Sequence, residues 1–519
     1  MIDSPEFHII KPLNFTDFIS VFLQKYIYMD KQPIILVNPG GKPELDALEK
    51  NRYSGIYMLP YSLLFLQNYL LINNLASQVF DLYWQKLDEL LEITKCSENP
   101  IVGITAQPHS VLLALDIIKQ IKKSNKNAII VVGGNFFTNT HRDLLSRFNE
   151  VDVVVRGEGE ITFYELVNAI HNNKSFDTID GITYKNNGNI IENKNRQTEK
   201  DLEKFSLMYD RLPIPNRFKE GILLRNYEKE NYRSFPVFLG RGCPRKCVFC
   251  EFNQFKYRVR EITHILQEID YLLINYSAKY LTFADTSFCE NKKFVKEFCE
   301  VLIEKYPSIK WSCEARVDTP LDVLELMAKA GCISVAFGLE SGSEKVLKAI
   351  NKNIDLTKTS EFVKICYSLG IRSHMFLMVS LPDETEVDAM QTLKECGELS
   401  KYVTSISLGI THILPGTELE RIAFKKGILA KDFSYYDERF YHSYTQFSDA
   451  HIPLYFEHLN IDFIEKFFTK IMDLRAQRFD NLNDLMRKAK TGILSLHRRS
   501  LQKNLIYIRR FIIAVFRKR

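Results

Sequence analysis

Three cysteines crowd into GRGCPRKCVFC at residues 240–250, spaced Cys-x3-Cys-x2-Cys. Cys243, Cys247 and Cys250 follow the apolar run PVFLG (236–240). That run predicts a strand, so the three thiols fall on one tight loop at a strand's C-terminal end. Three thiolates can hold three irons of a cubane [4Fe–4S] cluster and leave the fourth iron open to a non-protein ligand. Gly242 and Pro244 suit a strained turn, and Arg245 and Lys246 would offset the charge of an anionic cluster. Zinc is the chemical rival. It wants four ligands, and here His264 or Cys289 would have to supply the fourth. Surface or core cysteines holding no metal are the third reading.

The triplet, with the aromatic Phe249 before its last cysteine, resembles that of radical S-adenosylmethionine (AdoMet) enzymes. The resemblance runs over about residues 230–425. FADTSF (283–288) resembles the segment after the second barrel strand, which would put Asp285 near the cofactor. EARVD (314–318) looks like the third-strand motif, with Arg316 toward the AdoMet carboxylate. GLESGSEKVLKAINK (338–352) is similar to the fourth-strand element, where Glu340 and Ser341 would make polar contacts to AdoMet. LMVSLPDET (377–385) resembles the fifth, although Ser380 stands at the usual glycine. ILPGTEL (413–419) matches the sixth, Pro415 and Gly416 shaping a loop at the adenine side. Each short match has a plain alternative: Arg316 as an ion pair within the sheet, Glu340 as a helix N-terminal charge, Pro-Gly-Thr as an ordinary turn.

The preceding region resembles the cobalamin-binding domain fused in front of many such barrels. VNPGG near its start, AIIVVGGNFF (128–137) and VDVVVRGEGE (151–160) carry the likeness. Gly133 and Gly134 match the glycine pair where backbone approaches the nucleotide tail of the cofactor, and Thr105 matches a small hydroxyl at a strand end. The Asp-x-His-x-x-Gly motif of cobalamin enzymes with a histidine ligand is absent, and no histidine lies between Asn38 and Tyr69. His109 reads as a helix-start histidine or as a group approaching the cofactor. A flavodoxin-like domain without cofactor is the bland alternative. No GxGxxG or GxxxxGK[ST] points to a nucleotide instead.

The resemblance implies a cobalamin-dependent methyltransferase. One AdoMet would methylate cobalamin; a second, cleaved at the cluster, would yield a 5′-deoxyadenosyl radical that activates an unactivated carbon, or phosphorus, of the substrate. Ring formation, ring contraction or oxidative cyclisation without methyl transfer is the rival within the class. A methylthiotransferase would need a second cysteine cluster, and Cys289, Cys299, Cys313 and Cys332 form no compact triplet in sequence. A sensing or scaffold protein with a vestigial barrel is the non-enzymatic rival, opposed by the intact triplet. The implied partners are a small-molecule or peptide substrate and an external one-electron reductant such as flavodoxin or ferredoxin.

These groups need elements to hold them. Strand-like runs at 33–41, 101–107, 128–137 and 151–160 alternate with helical patterns, and Leu63–Leu91 reads as mostly helical. A second alternation begins at Phe235. The expected class is α/β. An N-terminal Rossmann-like (flavodoxin-like) cobalamin-binding domain precedes a partial (β/α)6 TIM-type radical AdoMet barrel and a mainly helical C-terminal region. The boundaries read as a lead-in at 1–30, the cobalamin domain at 31–170, and a linker or small subdomain at 171–230 containing the hairpin GITYKNNGNIIE. The barrel follows at 231–430 and a cap with a basic tail at 431–519. Tyr435, Tyr436, Phe440, Tyr441 and Tyr444 read as core or as lining of a substrate cavity.

The 519 residues carry a net charge of +5, but residues 471–519 hold 13 Lys and Arg against 3 Asp, so the body is slightly acidic. No general nucleic-acid surface is implied or expected. The tail could lie on an anionic membrane surface, cap the barrel, or bind a peptide or acidic substrate. The scattered cysteines are no secreted disulfide ladder, and no apolar run has membrane-span length. A cytoplasmic monomer is expected.

Overall fold

The computed structural model describes residues 32–40, 60–83, 85–205, 222–224, 232–444 and 448–476. The lead-in and the basic tail from 477 onward lie outside the described residues. The chain forms two compact units, one spanning residues up to 314 plus 412–455, the other 315–411 plus the chain from 456.

The first unit begins with a sheet in the order β2 (Ser77–Asp81), β1 (Ile34–Asn38), β3 (Ile101–Thr105), β4 (Ile129–Gly133), β5 (Val153–Val155), β6 (Ile182–Asn186), β7 (Asn189–Glu192). The first five are parallel, and β6 and β7 add an antiparallel edge. The central strands read IILVN, IVGIT and IIVVG because both of their faces are covered, and β-branched side chains fit a pleated buried surface. One face packs with α2 (Leu87–Cys96), α3 (Val111–Ser124) and α4 (Asn135–Arg147); the other packs with α1 (Tyr61–Ile72) and α5 (Glu160–His171). The expected hairpin at 182–192 turns on Asn187 and Gly188, both at positive φ, as a two-residue hairpin turn requires.

Strand β2 interrupts the stretch from Leu63 to Leu91 that reads as mostly helical. Its sequence SQVFD buries only Phe80, and an edge strand with one core side chain shows no alternation to read. Because the strand order runs outward in both directions from β1, the crevice at the C-terminal ends of β1 and β3 is the topological switch point, where ligands of such sheets bind.

The same unit holds a second strand group, β8 (Ile222–Leu224), β9 (Tyr232–Val237), β12 (Tyr280–Phe283) and β13 (Lys310–Glu314), with β9, β12 and β13 parallel. Between β9 and β12 lie the short hairpin β10 (Gly240–Arg241) and β11 (Arg258–Val259) and helix α6 (Ile262–Tyr276); α7 (Lys292–Lys305) joins β12 to β13. Residues 412–455, with α12 (Glu418–Lys425), complete the unit. Tyr435 and Tyr436 are core: they join the first sheet's hydrophobic cluster, edge-on to Phe136 at 5.4 and 6.2 Å.

The second unit has the parallel strands β14 (Cys332–Glu340), β15 (Arg372–Val379) and β16 (Ser405–Ile410), with helices α8 (Leu321–Lys329), α9 (Glu344–Ala349), α10 (Leu356–Ser368), α11 (Glu386–Leu399) and α13 (Ile461–Ala476). Along β15 every second residue is buried, the period a pleated strand imposes. Among the described residues no helix is long and apolar enough to cross a membrane.

Candidate active site

The cysteine loop springs from the β10–β11 hairpin, which closes only because it is built on glycine. A Cβ on Gly240 would stand 2.3 Å from the Arg258 carbonyl oxygen, and one on Gly242, at φ +78°, would stand 2.5 Å from that of Lys256. Cys247 is buried, while Cys243 and Cys250 are half-buried. The Cys250 amide donates to the Cys247 carbonyl at 3.2 Å. Burial, then the neighbouring Cys247 and Cys243, push the Cys250 thiol up to about 11. Three cysteine sulfurs on one loop would suit an iron centre, whose positive charge would offset that penalty. Arg245, expected to offset cluster charge, is gripped by Glu290 through two bonds of 3.0 and 2.9 Å. His264 lies 3.3 Å from Glu203 and is half-exposed.

Phe249 packs into a cluster with Ile413, Leu419, Ala423 and Tyr455. The Leu419 amide donates to the Val248 carbonyl at 2.8 Å, so the Pro415–Gly416 turn is tied to the cysteine loop. Pro415 is buried, and Gly416, at φ +78°, leaves space taken by Asn139 of α4.

A cavity of about 440 Å³ opens at the switch point. The ends of β3 and β4 line it through Thr105, Gly133 and Gly134, and α1 lines it through Tyr61 and Phe65. From the cysteine-loop side come Phe238, Gly240, Arg241, Gly242, Phe252 and Asp285. A Cβ on Gly134, at φ +99°, would come 2.9 Å from the Thr105 hydroxyl, so bare backbone faces the cavity there. This glycine-floored, largely apolar cradle fits a corrin with its nucleotide tail. No histidine is among its lining residues, and His109 is exposed.

Asp285 accepts the Leu239 amide at 3.0 Å and the Gly240 amide at 2.7 Å. Burial outweighs these bonds and pushes its carboxyl up to about 7. The residue anchors the start of the cysteine hairpin and at the same time walls the cavity.

In the second unit, Arg316 donates to Asp318 at 3.1 Å and to the carbonyls of Lys352 and Asn353 at 3.4 Å. Glu340, at φ +61°, pairs with Lys352 at 2.8 Å, and Gly338 leaves the room its carboxylate fills. Ser341 bonds Thr392 at 3.1 Å and accepts the Ser343 amide. The fold thus brings Thr105, Gly133, Gly134 and Asp285 to one cavity, links Phe249, Pro415 and Gly416 to the cysteine loop, and gathers Glu340 and Arg316 around Lys352. Sequence reasoning missed Tyr61, Phe65, Phe238 and Arg241 as cavity walls. Only Arg241 left a trace, as a charged residue inside an otherwise apolar and glycine-rich run.

Comparison with known proteins matches the B12 binding domain family over residues 55–167 and the radical SAM superfamily over 237–396. An uncharacterized methyltransferase of Pyrococcus horikoshii is 29% identical over 345 residues, 66% of this chain and 73% of the relative. The anaerobic magnesium-protoporphyrin IX monomethyl ester cyclase of Synechocystis is 26% identical over 305 residues, 58% of this chain and 59% of the relative. The chain therefore spans less than two thirds of that cyclase. In fold, the radical AdoMet methyltransferase TsrM of Kitasatospora setae, solved with cobalamin and a [4Fe-4S] cluster, superposes with a TM-score of 0.66 at 16% identity, over 85% of this chain and 91% of that one. The chain carries a B12-binding domain followed by a radical SAM domain and so belongs among the cobalamin-dependent radical SAM enzymes, whose cofactors are a [4Fe–4S] cluster, AdoMet and cobalamin.

Proposed function

We propose that the protein moves a methyl group from AdoMet to an unactivated carbon, or phosphorus, of a small-molecule or peptide substrate. The observation that carries this reading is the shared cavity: one space is walled both by the strand ends of the B12-binding sheet and by the residues leading into the cysteine triplet. When bound, the cluster, AdoMet and cobalamin supply radical generation and methyl carriage.

The chain's own residues do the rest. Cys243, Cys247 and Cys250 would hold the cluster through their three sulfurs. Thr105, Gly133 and Gly134 admit the corrinoid tail. Tyr61, Phe65, Phe238 and Phe252 exclude water, which protects a radical from quenching. Arg316, pre-aligned by Asp318, and Glu340, charge-balanced by Lys352, are assigned to the AdoMet carboxylate and amino groups. Ser341 is assigned a polar contact to AdoMet, and the Pro415–Gly416 turn its adenine side. A flavodoxin- or ferredoxin-like donor supplies electrons, and the basic tail is the segment offered to an anionic membrane.

The test is anaerobic reconstitution with iron, sulfide and cobalamin, followed by product analysis of extracts incubated with AdoMet. Methyl transfer yields S-adenosylhomocysteine together with 5′-deoxyadenosine and a product heavier by one methylene. The cyclase relative supports a second reading, oxidative ring closure, in which 5′-deoxyadenosine accumulates without S-adenosylhomocysteine.

A further inference from the structure

The Arg-Gly-Glu-Gly-Glu turn at 156–160 takes no part in the chemistry above, yet it meets the base of the cysteine loop. Arg241 and Arg258 stand directly opposite each other across the β10–β11 hairpin. Like charges in that register repel, so the hairpin is frustrated on its own. The balancing charge comes from the other side of the cavity. Glu158 takes Arg258 in a two-pronged grip, one bond at 3.0 Å, and lies 3.6 Å from Arg241. Glu160, the first residue of α5, accepts from Arg241 at 2.7 Å. The Arg241 guanidinium lies against the rings of Phe65 and Phe205, 4.8 and 4.9 Å from their centroids. The side chains of Arg258 and Glu160 are each 8% exposed. Glu158, Glu160 and Arg241 also line the cavity.

We infer that Glu158 and Glu160 are positioning residues that seat the cysteine loop: counter-ions from the B12-binding sheet close the hairpin that carries the cluster ligands. The inference rests on the cobalamin reading for its purpose, because filling the cavity presses on the same side chains that hold the loop.

Hydrogen exchange of the full chain without added cofactor reads the clamp directly. In Glu160→Gln and in Glu158→Gln, exchange over residues 239–260 rises roughly tenfold, the scale on which one member of a coupled buried pair is lost. Amides of β3 and β4 stay as in the parent. The double variant Glu158→Gln/Arg258→Gln exchanges no faster than Glu158→Gln alone, since the second change removes the stranded cation. Unchanged exchange at 239–260, or a loss spread equally over β3 and β4, overturns the clamp. A second arm adds hydroxocobalamin: protection at 239–260 rises in the parent and less so in Glu160→Gln. A parent that retains no corrinoid sinks the cobalamin reading and leaves the cofactor-free result standing.

Discussion

The cavity of the first unit and the polar turn after β14 in the second treat their site residues in opposite ways. Around the cavity, glycines withhold side chains, and rings, aliphatic side chains and bare backbone face inward beside the charged groups of Glu158, Glu160, Arg241 and Asp285. Around the end of β14, Glu340 pairs with Lys352, Arg316 with Asp318 and the carbonyls of Lys352 and Asn353, and Ser341 with Thr392. Space is prepared in one region and orientation in the other. On the proposed reading, a large corrinoid needs room in the first region, whereas the charged amino-acid end of AdoMet needs charges held in place before it arrives in the second.

That contrast can be broken by substitution. The largest effect belongs to the triplet. Cys243→Ala, Cys247→Ala or Cys250→Ala should each lower 5′-deoxyadenosine formation at least about 100-fold, beyond the loss typical of partners around a metal ligand, while corrinoid retention persists. Full product formation in any of them would remove the cluster assignment. Next, Lys352→Met strands the Glu340 carboxylate in its buried site. Breaking such a pair costs about 3–5 kcal/mol, readable as a fall in the denaturation midpoint with corrinoid binding unchanged. If stability holds and only AdoMet binding falls, the polar turn is a binding device and not a structural one.

Gly134→Ala should act the other way round. A side chain at φ +99° beside the Thr105 hydroxyl strains the backbone by about 1–3 kcal/mol and intrudes on the cavity floor. Equilibrium dialysis should show corrinoid retention falling more steeply than thermal stability. The last effect is electrostatic and touches both units. Asp285 in the first unit and Glu384 in the second each have a carboxyl pushed up to about 7 by burial. Unfolded, both titrate near pH 4. Their contribution to stability is therefore fully present below about pH 4 and is lost as pH rises to about 7. Unfolding followed across that window should lose part of its pH slope in Asp285→Asn and part in Glu384→Gln. An unchanged slope in both would mean that neither carboxyl keeps its proton on folding.

What the sequence could show follows from how each feature is encoded. Cys243, Cys247 and Cys250 lie within eight residues, so spacing alone restricts them to one loop. The strands IILVN, IVGIT and IIVVG are legible because burial on both faces forces continuous apolar runs. Strand β2 was hidden because only Phe80 of its five residues enters the core. The clamp was hidden for another reason: Glu158 and Arg258 are 100 positions apart, and each alone reads as an ordinary surface charge. Tyr435 and Tyr436 read as core or as cavity lining, with core favoured, and their rings against Phe136 place them in the core.

Local chemistry and local periodicity were thus legible in the chain order itself: three cysteines confined to one loop, the two α/β alternations, and the basic character of the last residues. Tertiary structure decided which distant groups share a space. It placed the GG floor and the cysteine hairpin around one cavity, tied Pro415–Gly416 to the cysteine loop, and paired Glu340 with Lys352. Periodicity encodes which face of an element is buried, but it carries no record of which distant charge or ring will be waiting there.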